Sequence, residues 1–151
     1  MLAIRITKRR GGGPLLRCTR ADSFVTRQKQ EGSNAAFFPV HDLTHFAVEA
    51  TLGYRRGFFG LIEDGWDVDD TTGKGGRGRL PEEAIGVERI VGSFHLERAS
   101  GAAMSVEDFA QFAGRRVAEE QPRDVRSRCA ELLWRWRALP AGSALELDWE
   151  T

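Results

Sequence analysis

Leu2-Ala3-Ile4-Arg5-Ile6-Thr7 alternates large aliphatic residues with small or polar ones. Successive side chains of a strand point to opposite faces, so this pattern buries Leu2, Ile4 and Ile6 on one side. The other end of the chain repeats it in Ala144-Leu145-Glu146-Leu147-Asp148-Trp149. Gly11-Gly12-Gly13-Pro14 reads as a turn. Residues 15–20 then read as the returning strand, residues 23–27 as a third short strand and residues 28–34 as a polar loop. A lone hairpin is marginal in water. The N-terminal hairpin and the C-terminal strand are therefore expected to share one small antiparallel sheet.

Four helical patterns separate the strands. The first opens with Pro39 at its first position and stops at Gly53. Asp42 as the N-cap is the other reading, and it leaves His41 outside the helix. Leu43, Phe46, Ala47 and Ala50 form one apolar face, while His41, His45, Val48 and Leu52 lie roughly opposite. A helix apolar on two sides is a central, buried one. Gly57 to Ile62 suggests a tight turn or a short helix. Further helices are expected over residues 81–98, from a Ser105 cap onward, and over residues 123–139, with Pro122 separating the last two. The fold class is α+β: about four helices layered on the sheet, in a single domain spanning residues 1–151.

The 151 residues carry 22 basic and 22 acidic side chains, and 41% are hydrophobic. Zero net charge disfavours a general attraction to nucleic acid or to an anionic membrane. The charges are uneven. Residues 1–30 hold eight Lys or Arg against Asp22, and residues 41–70 hold seven acids against Arg55 and Arg56. These regions either pair, form a small anion-binding surface, or are solvated faces. Cys18 and Cys129 imply no disulfide framework. No signal-peptide core or membrane-length apolar run is apparent, so a cytoplasmic protein is expected.

The chemistry concentrates in Pro39-Val40-His41-Asp42-Leu43-Thr44-His45-Phe46-Ala47-Val48-Glu49. Two of the three histidines sit four residues apart, about 6 Å along a helix axis, where both imidazoles can reach one divalent ion. Zinc is the expected metal. Asp42 and Glu49 are the candidate catalytic carboxylates, Asp42 as general base or ligand orienter. Glu49 lies about 12 Å along the axis from His41, too far to share its metal. It suits an acceptor that orients His45. Third-ligand candidates are His95, with Glu88 on the same side of its helix, and Glu63, Asp64 and Asp67. The alternative is a pair of buried histidines hydrogen-bonded to carboxylates.

Residues 71–79 read as a mobile loop. Its Lys74, Arg77 and Arg79 are candidate ligand-binding cations at the mouth of the histidine pocket, suited to a small anionic molecule. The GKGGRG string matches a dinucleotide fingerprint only formally, since no strand precedes it. Asp67, Asp69 and Asp70 do not make a calcium loop: Gly73 stands seventh and Gly78 twelfth. Trp134 and Trp136, flanked by Arg135 and Arg137, read as core packing with snorkelling arginines rather than as a base-stacking platform.

The segment HDLTHFAVEATLGYRRGFFGL, residues 41–61, resembles the signature of a group of small bacterial proteins of uncharacterised activity. The HDxxH string is also similar to the zinc motif of the coenzyme Q biosynthesis family, mostly helical proteins. That resemblance implies zinc on His41 and His45. The family completes its motif with Glu twelve positions after the second His, where this chain has Gly57. The reading as a whole is a divalent-metal protein, a small hydrolase or lyase, or else a non-enzymatic interaction or accessory module. Oligomeric state is not specified.

Overall fold

A computed structural model describes residues 1–73 and 75–150. The strands are β1 (Leu2–Thr7), β2 (Leu15–Thr19), β3 (Val25–Lys29) and β4 (Ala144–Trp149). They form one antiparallel sheet in the order β3-β2-β1-β4, so the C-terminal strand closes on the N-terminal one. Leu2, Ile4, Ile6, Leu16, Cys18, Leu145 and Trp149 point inward and are buried, as the alternation requires. Residues 20–24 turn tightly, with Ser23 at a φ of 69° and Asp22 accepting from the Phe24 N–H. The third strand therefore starts at Val25, and it runs into the stretch expected to be loop.

The helices are α1 (Phe37–Leu52), α2 (Phe58–Glu63), α3 (Glu82–Ser100), α4 (Val106–Ala113) and α5 (Glu120–Ala138). None is long and apolar enough to cross a membrane. Ten of the sixteen α1 residues are buried, which makes it the central helix, packed against α3 and α5. Its C-cap is Gly53, left-handed at a φ of 74°. Pro39 and Pro122 are each the third residue of their helix rather than the boundary. A proline is harmless there, because the first four N–H groups of a helix have no intrahelical acceptor. Ser105 caps α4 by accepting from the Asp108 N–H at 3.1 Å. Asp67 and Asp70 close a reciprocal cap on the 3-10 turn Val68–Thr72, which occupies the start of the expected 71–79 loop.

Two basic residues just past β1 and β2 satisfy carbonyls at and just beyond helix C-termini. Lys8 Nζ donates to the carbonyls of Trp136 and Leu139 at 2.6 and 2.8 Å. Arg20 donates to those of Ile62 and Trp66 at 2.5 and 2.6 Å. Cations are favourable at helix ends, where carbonyls lack intrahelical partners. Part of the basic N-terminal stretch is thus used on backbone carbonyls instead of on the acidic middle.

The two expected core tryptophans of α5 differ. Trp136 is buried, but Trp134 is 70% exposed. Trp149→Ala should cost about 3–5 kcal/mol, the range for a buried aromatic, and Trp134→Ala within about 0.5 kcal/mol. Urea unfolding of the two variants measures both. Equal losses would contradict the burial of Trp149 and the exposure of Trp134.

Candidate metal centre

Glu49 is fully buried on α1 and organises the site. Its Oε1 accepts from the N–H groups of Phe59 and Gly60 at 3.0 and 3.3 Å. Its Oε2 lies 3.0 Å from the Phe58 nitrogen and 3.1 Å from His45 Nδ1. Three of these donors are the first N–H groups of α2, which would otherwise be orphaned. The fourth is the imidazole. Four donors fill the acceptor capacity of a carboxylate.

Glycines make this approach possible. A Cβ on Gly57 would lie 2.4 Å from Glu49 Cδ, and one on Gly60 would lie 1.9 Å from the Arg55 carbonyl oxygen. The Gly57-Phe58-Phe59-Gly60 segment therefore brings bare backbone to Glu49 and hangs two aromatic rings beside it. Phe58 packs on His45 at a centroid distance of 5.4 Å.

His45 is 1% exposed, with Glu49 fixing its Nδ1. Its Nε2 points toward Glu88 on α3, and Oε1 of that residue lies 3.0 Å away. The contact is off the N–H axis, leaving Nε2 a buried nitrogen without a hydrogen bond. His41 Nε2 lies 3.7 Å from Glu88 Oε2. The two imidazoles are 4.7 Å apart, edge to face. One ligand atom from each of His41, His45 and Glu88 falls within 4.8 Å of the other two, close enough for one cation. Of the third-ligand candidates, α3 thus supplies Glu88. Glu88 is 45% exposed and His41 30%, so the group opens to solvent on their side.

His95 stands beside this group. Its Nε2 is 3.0 Å from His41 Nδ1, and its Nδ1 is 2.5 Å from Arg98 Nη2. Arginine only donates, so His95 Nδ1 accepts and Nε2 carries the proton toward His41. For His41 to offer Nε2 to a metal, this bond must reverse polarity and Arg98 must release His95. Arg98 also donates to Thr44 Oγ1 at 2.9 Å and Cys129 Sγ at 3.2 Å, tying α3 to α1 and α5. The Phe37 ring, half exposed, lies 4.9 Å from His95 and 5.6 Å from His41 at the rim.

The charges sort the histidines. Burial and the charge on His45 lower His41 to about 4, against the pull of Glu88. Burial and the Arg98 guanidinium lower His95 to about 4. Burial opposes the charge of His45, yet Glu49 and Glu88 outweigh it and raise the group to about 10. Burial also opposes the charge of Glu88, but His45 holds it below the usual carboxylate range.

The other residues singled out in the sequence lie elsewhere. Asp42 makes no hydrogen bond to either imidazole among the described residues. It is buried and accepts from Gln30 Nε2 at 2.6 Å. Burial pushes it up to about 7, the Gln30 bond offsetting only part of the cost. Arg77 donates to the Gly65 carbonyl at 2.9 Å, pairs with Asp70 and lies over the Trp66 ring. Arg79 lines a groove with Glu82, Gly86 and Arg89, on the side of α3 away from Glu88 and His95. Lys74 lies outside the described residues. Arg98 and Gln30 carried no sequence signal, being a lone arginine and a loop glutamine. Gly57 and Gly60 did, through their spacing around two phenylalanines.

No known family model, curated protein or solved structure matches the chain.

Gly57→Ala should cost at least about 1–3 kcal/mol, the range for overpacking, by forcing Glu49 off the α2 N-terminus. Wild-type thermal stability would contradict the cage. Asp42 supports a second expectation. Its folded pKa lies above its unfolded value of 3.8, so burying it costs stability increasingly as pH rises from about 4 through about 7. Gln30 Oε1 has no partner, and an amide at position 42 supplies one. Asp42→Asn should therefore stabilise the protein by about 1 kcal/mol at pH 8 and by less at pH 4. Destabilisation at pH 8 in thermal melts would contradict this.

Proposed function

We propose that the chain binds a divalent metal through His41, His45 and Glu88. A small hydrolase or lyase is the reaction class this site suits. The observation that carries the reading is the convergence of His41, His45 and Glu88, whose ligand atoms lie within 4.8 Å of one another with the buried His45 Nε2 facing the Glu88 carboxylate. Two imidazoles and one carboxylate are a zinc donor set, and zinc is the metal of first choice. Bound there, the ion would supply Lewis acidity toward a carbonyl or a water.

The residues divide the work. Glu49 holds the proton of His45 on Nδ1, which directs the Nε2 lone pair into the site. Glu88 and His41 form the solvent-facing side, where a substrate enters. Phe37 walls one edge. Glu49 has no free acceptor position, so it serves as an orienting group and not as a proton acceptor for substrate. A small anionic substrate would meet the bound ion directly and does not require the cations of the 71–79 loop.

A second reading draws on the same residue. Without metal, His45 is an imidazolium bridging Glu49 and Glu88, a structural ion cluster in a non-enzymatic accessory module. The two readings differ in pH dependence. The folded pKa of His45, about 10, exceeds its ordinary 6.5, so its contribution to metal-free stability is full below 6.5 and lost as pH rises through about 10. His41, lowered to about 4, acts oppositely: its contribution is lost as pH falls from 6.5 toward 4. Metal binding requires His45 to lose its proton, so affinity should rise with pH.

The test is metal analysis of protein purified without a histidine tag, followed by thermal melts with and without added zinc. Wild type is expected to hold near-stoichiometric metal and to melt higher with zinc, more so at pH 8 than at pH 6. His45→Ala and Glu88→Gln should lose the zinc response. A wild type that holds no metal and melts identically with and without zinc would leave the structural cluster as the function of these residues.

A further inference from the structure

The outward face of the sheet carries an arrangement that the fold does not explain. Arg5 is directly opposite Arg17, and Arg17 is directly opposite Arg27, so three arginines stand in one row across β1, β2 and β3. All three are exposed, and Lys29 follows one row on, opposite Leu15. Like charges directly opposite one another destabilise a sheet. Arg5 has a partner in Glu146 on β4. Arg17 and Arg27 have no hydrogen bond or ion pair among the described residues. The row is not a by-product of a basic protein, because the net charge is zero. Such a local conflict, kept without internal compensation, is what a functional surface looks like. A cavity of about 450 Å³ lies on this face, lined in part by Arg5, Arg17, Thr19, Glu146 and Asp148.

We propose that this face is a docking surface for an acidic helix of a protein partner, laid across the strands with its carboxylates on Arg17, Arg27 and the Arg5 edge. The spacing fits. Adjacent strands are about 4.8 Å apart, so the three arginines of the row start from positions at about 0, 4.8 and 9.6 Å. Carboxylates at i, i+3 and i+7 share one helix face and lie at about 0, 4.5 and 10.5 Å along its axis. Guanidinium forks match carboxylates bidentately.

Two other occupants fit less well. A nucleic acid strand needs rings to stack its bases, and the remaining outward residues of β1 to β3 are Ala3, Thr7, Leu15, Thr19 and Val25. Glu146 and Asp148 also close the basic strip on the β4 side. A second copy turned about a two-fold axis along the strands would set Arg27 over the copy's Glu146. It would also set Arg17 against the copy's Arg5, so four arginines would meet at the centre.

The test is fluorescence anisotropy on the intact protein. The probes are a labelled alanine-based helical peptide with Glu at i, i+3 and i+7, its Gln counterpart, and a single-stranded oligonucleotide of equal charge. The Glu peptide should bind at least tenfold more tightly than the Gln peptide and weaken as salt is raised. The R17E/R27E variant should lose at least tenfold in affinity for it. The single R17E variant should also weaken Glu-peptide binding and should melt no lower than wild type, because it sets a carboxylate between Arg5 and Arg27 and so removes the like-charge row; this separates lost docking from lost folding. Absence of Glu-peptide binding, or equal binding by R17E/R27E, would overturn the proposal. So would tighter binding of the oligonucleotide, or a two-copy mass in sedimentation that R17E abolishes.

Discussion

One buried carboxylate holds the centre of this protein together. Glu49 has no contact with water, and removing a carboxylate from water is tolerated only when its oxygens are fully hydrogen bonded. Three backbone N–H groups of α2 and one imidazole meet that requirement. The same contacts fix where α2 begins, which face of α1 it covers and which nitrogen of His45 is turned toward α3. Gly57 and Gly60 follow from it, since side chains there would occupy the space of Glu49 and of the Arg55 carbonyl.

That arrangement leaves His45 Nε2 directed at Glu88, across the gap between α1 and α3. The gap is polar on a short stretch only. Val87, Ile90, Val91 and Phe94 of α3 are buried in the core that the sheet and the other helices share. Glu88 and His95, two turns apart on one side of the same helix, face His45 and His41 instead. Arg98 extends the polar line by linking His95 to Thr44 and Cys129. The site is thus a seam between two helices, buried at Glu49 and open at Glu88.

Much of this was legible in the residues. Period-two alternation identified β1 and β4, because one face of the sheet is buried and the other is not. The two-sided apolar character of residues 40–53 identified α1 as central. Helix starts were misplaced at Pro39 and Pro122 because a proline is tolerated anywhere in a first turn, so it marks a region and not a boundary. The histidine pair was visible through its spacing, and Glu49 through continuing that spacing. Asp42 was not separable from the pair by sequence: one residue along a helix is a turn of about 100°, which sends it toward Gln30 instead. The α3 contribution was legible only as a set of candidates, since pairing a residue of α1 with one of α3 depends on how the helices pack. Trp134 and the arginine row depend on solvent exposure and on strand register, which no local pattern states.

The central claim is that α1 and α3 present two imidazoles and one carboxylate to a single ion, with His95 outside its coordination. X-ray absorption at the metal edge of the zinc-loaded protein measures this directly. The account predicts scattering from two imidazoles together with carboxylate oxygen, and loss of the oxygen contribution of Glu88 in the Glu88→Ala variant. Three imidazoles, or a metal environment unchanged by that substitution, would contradict it.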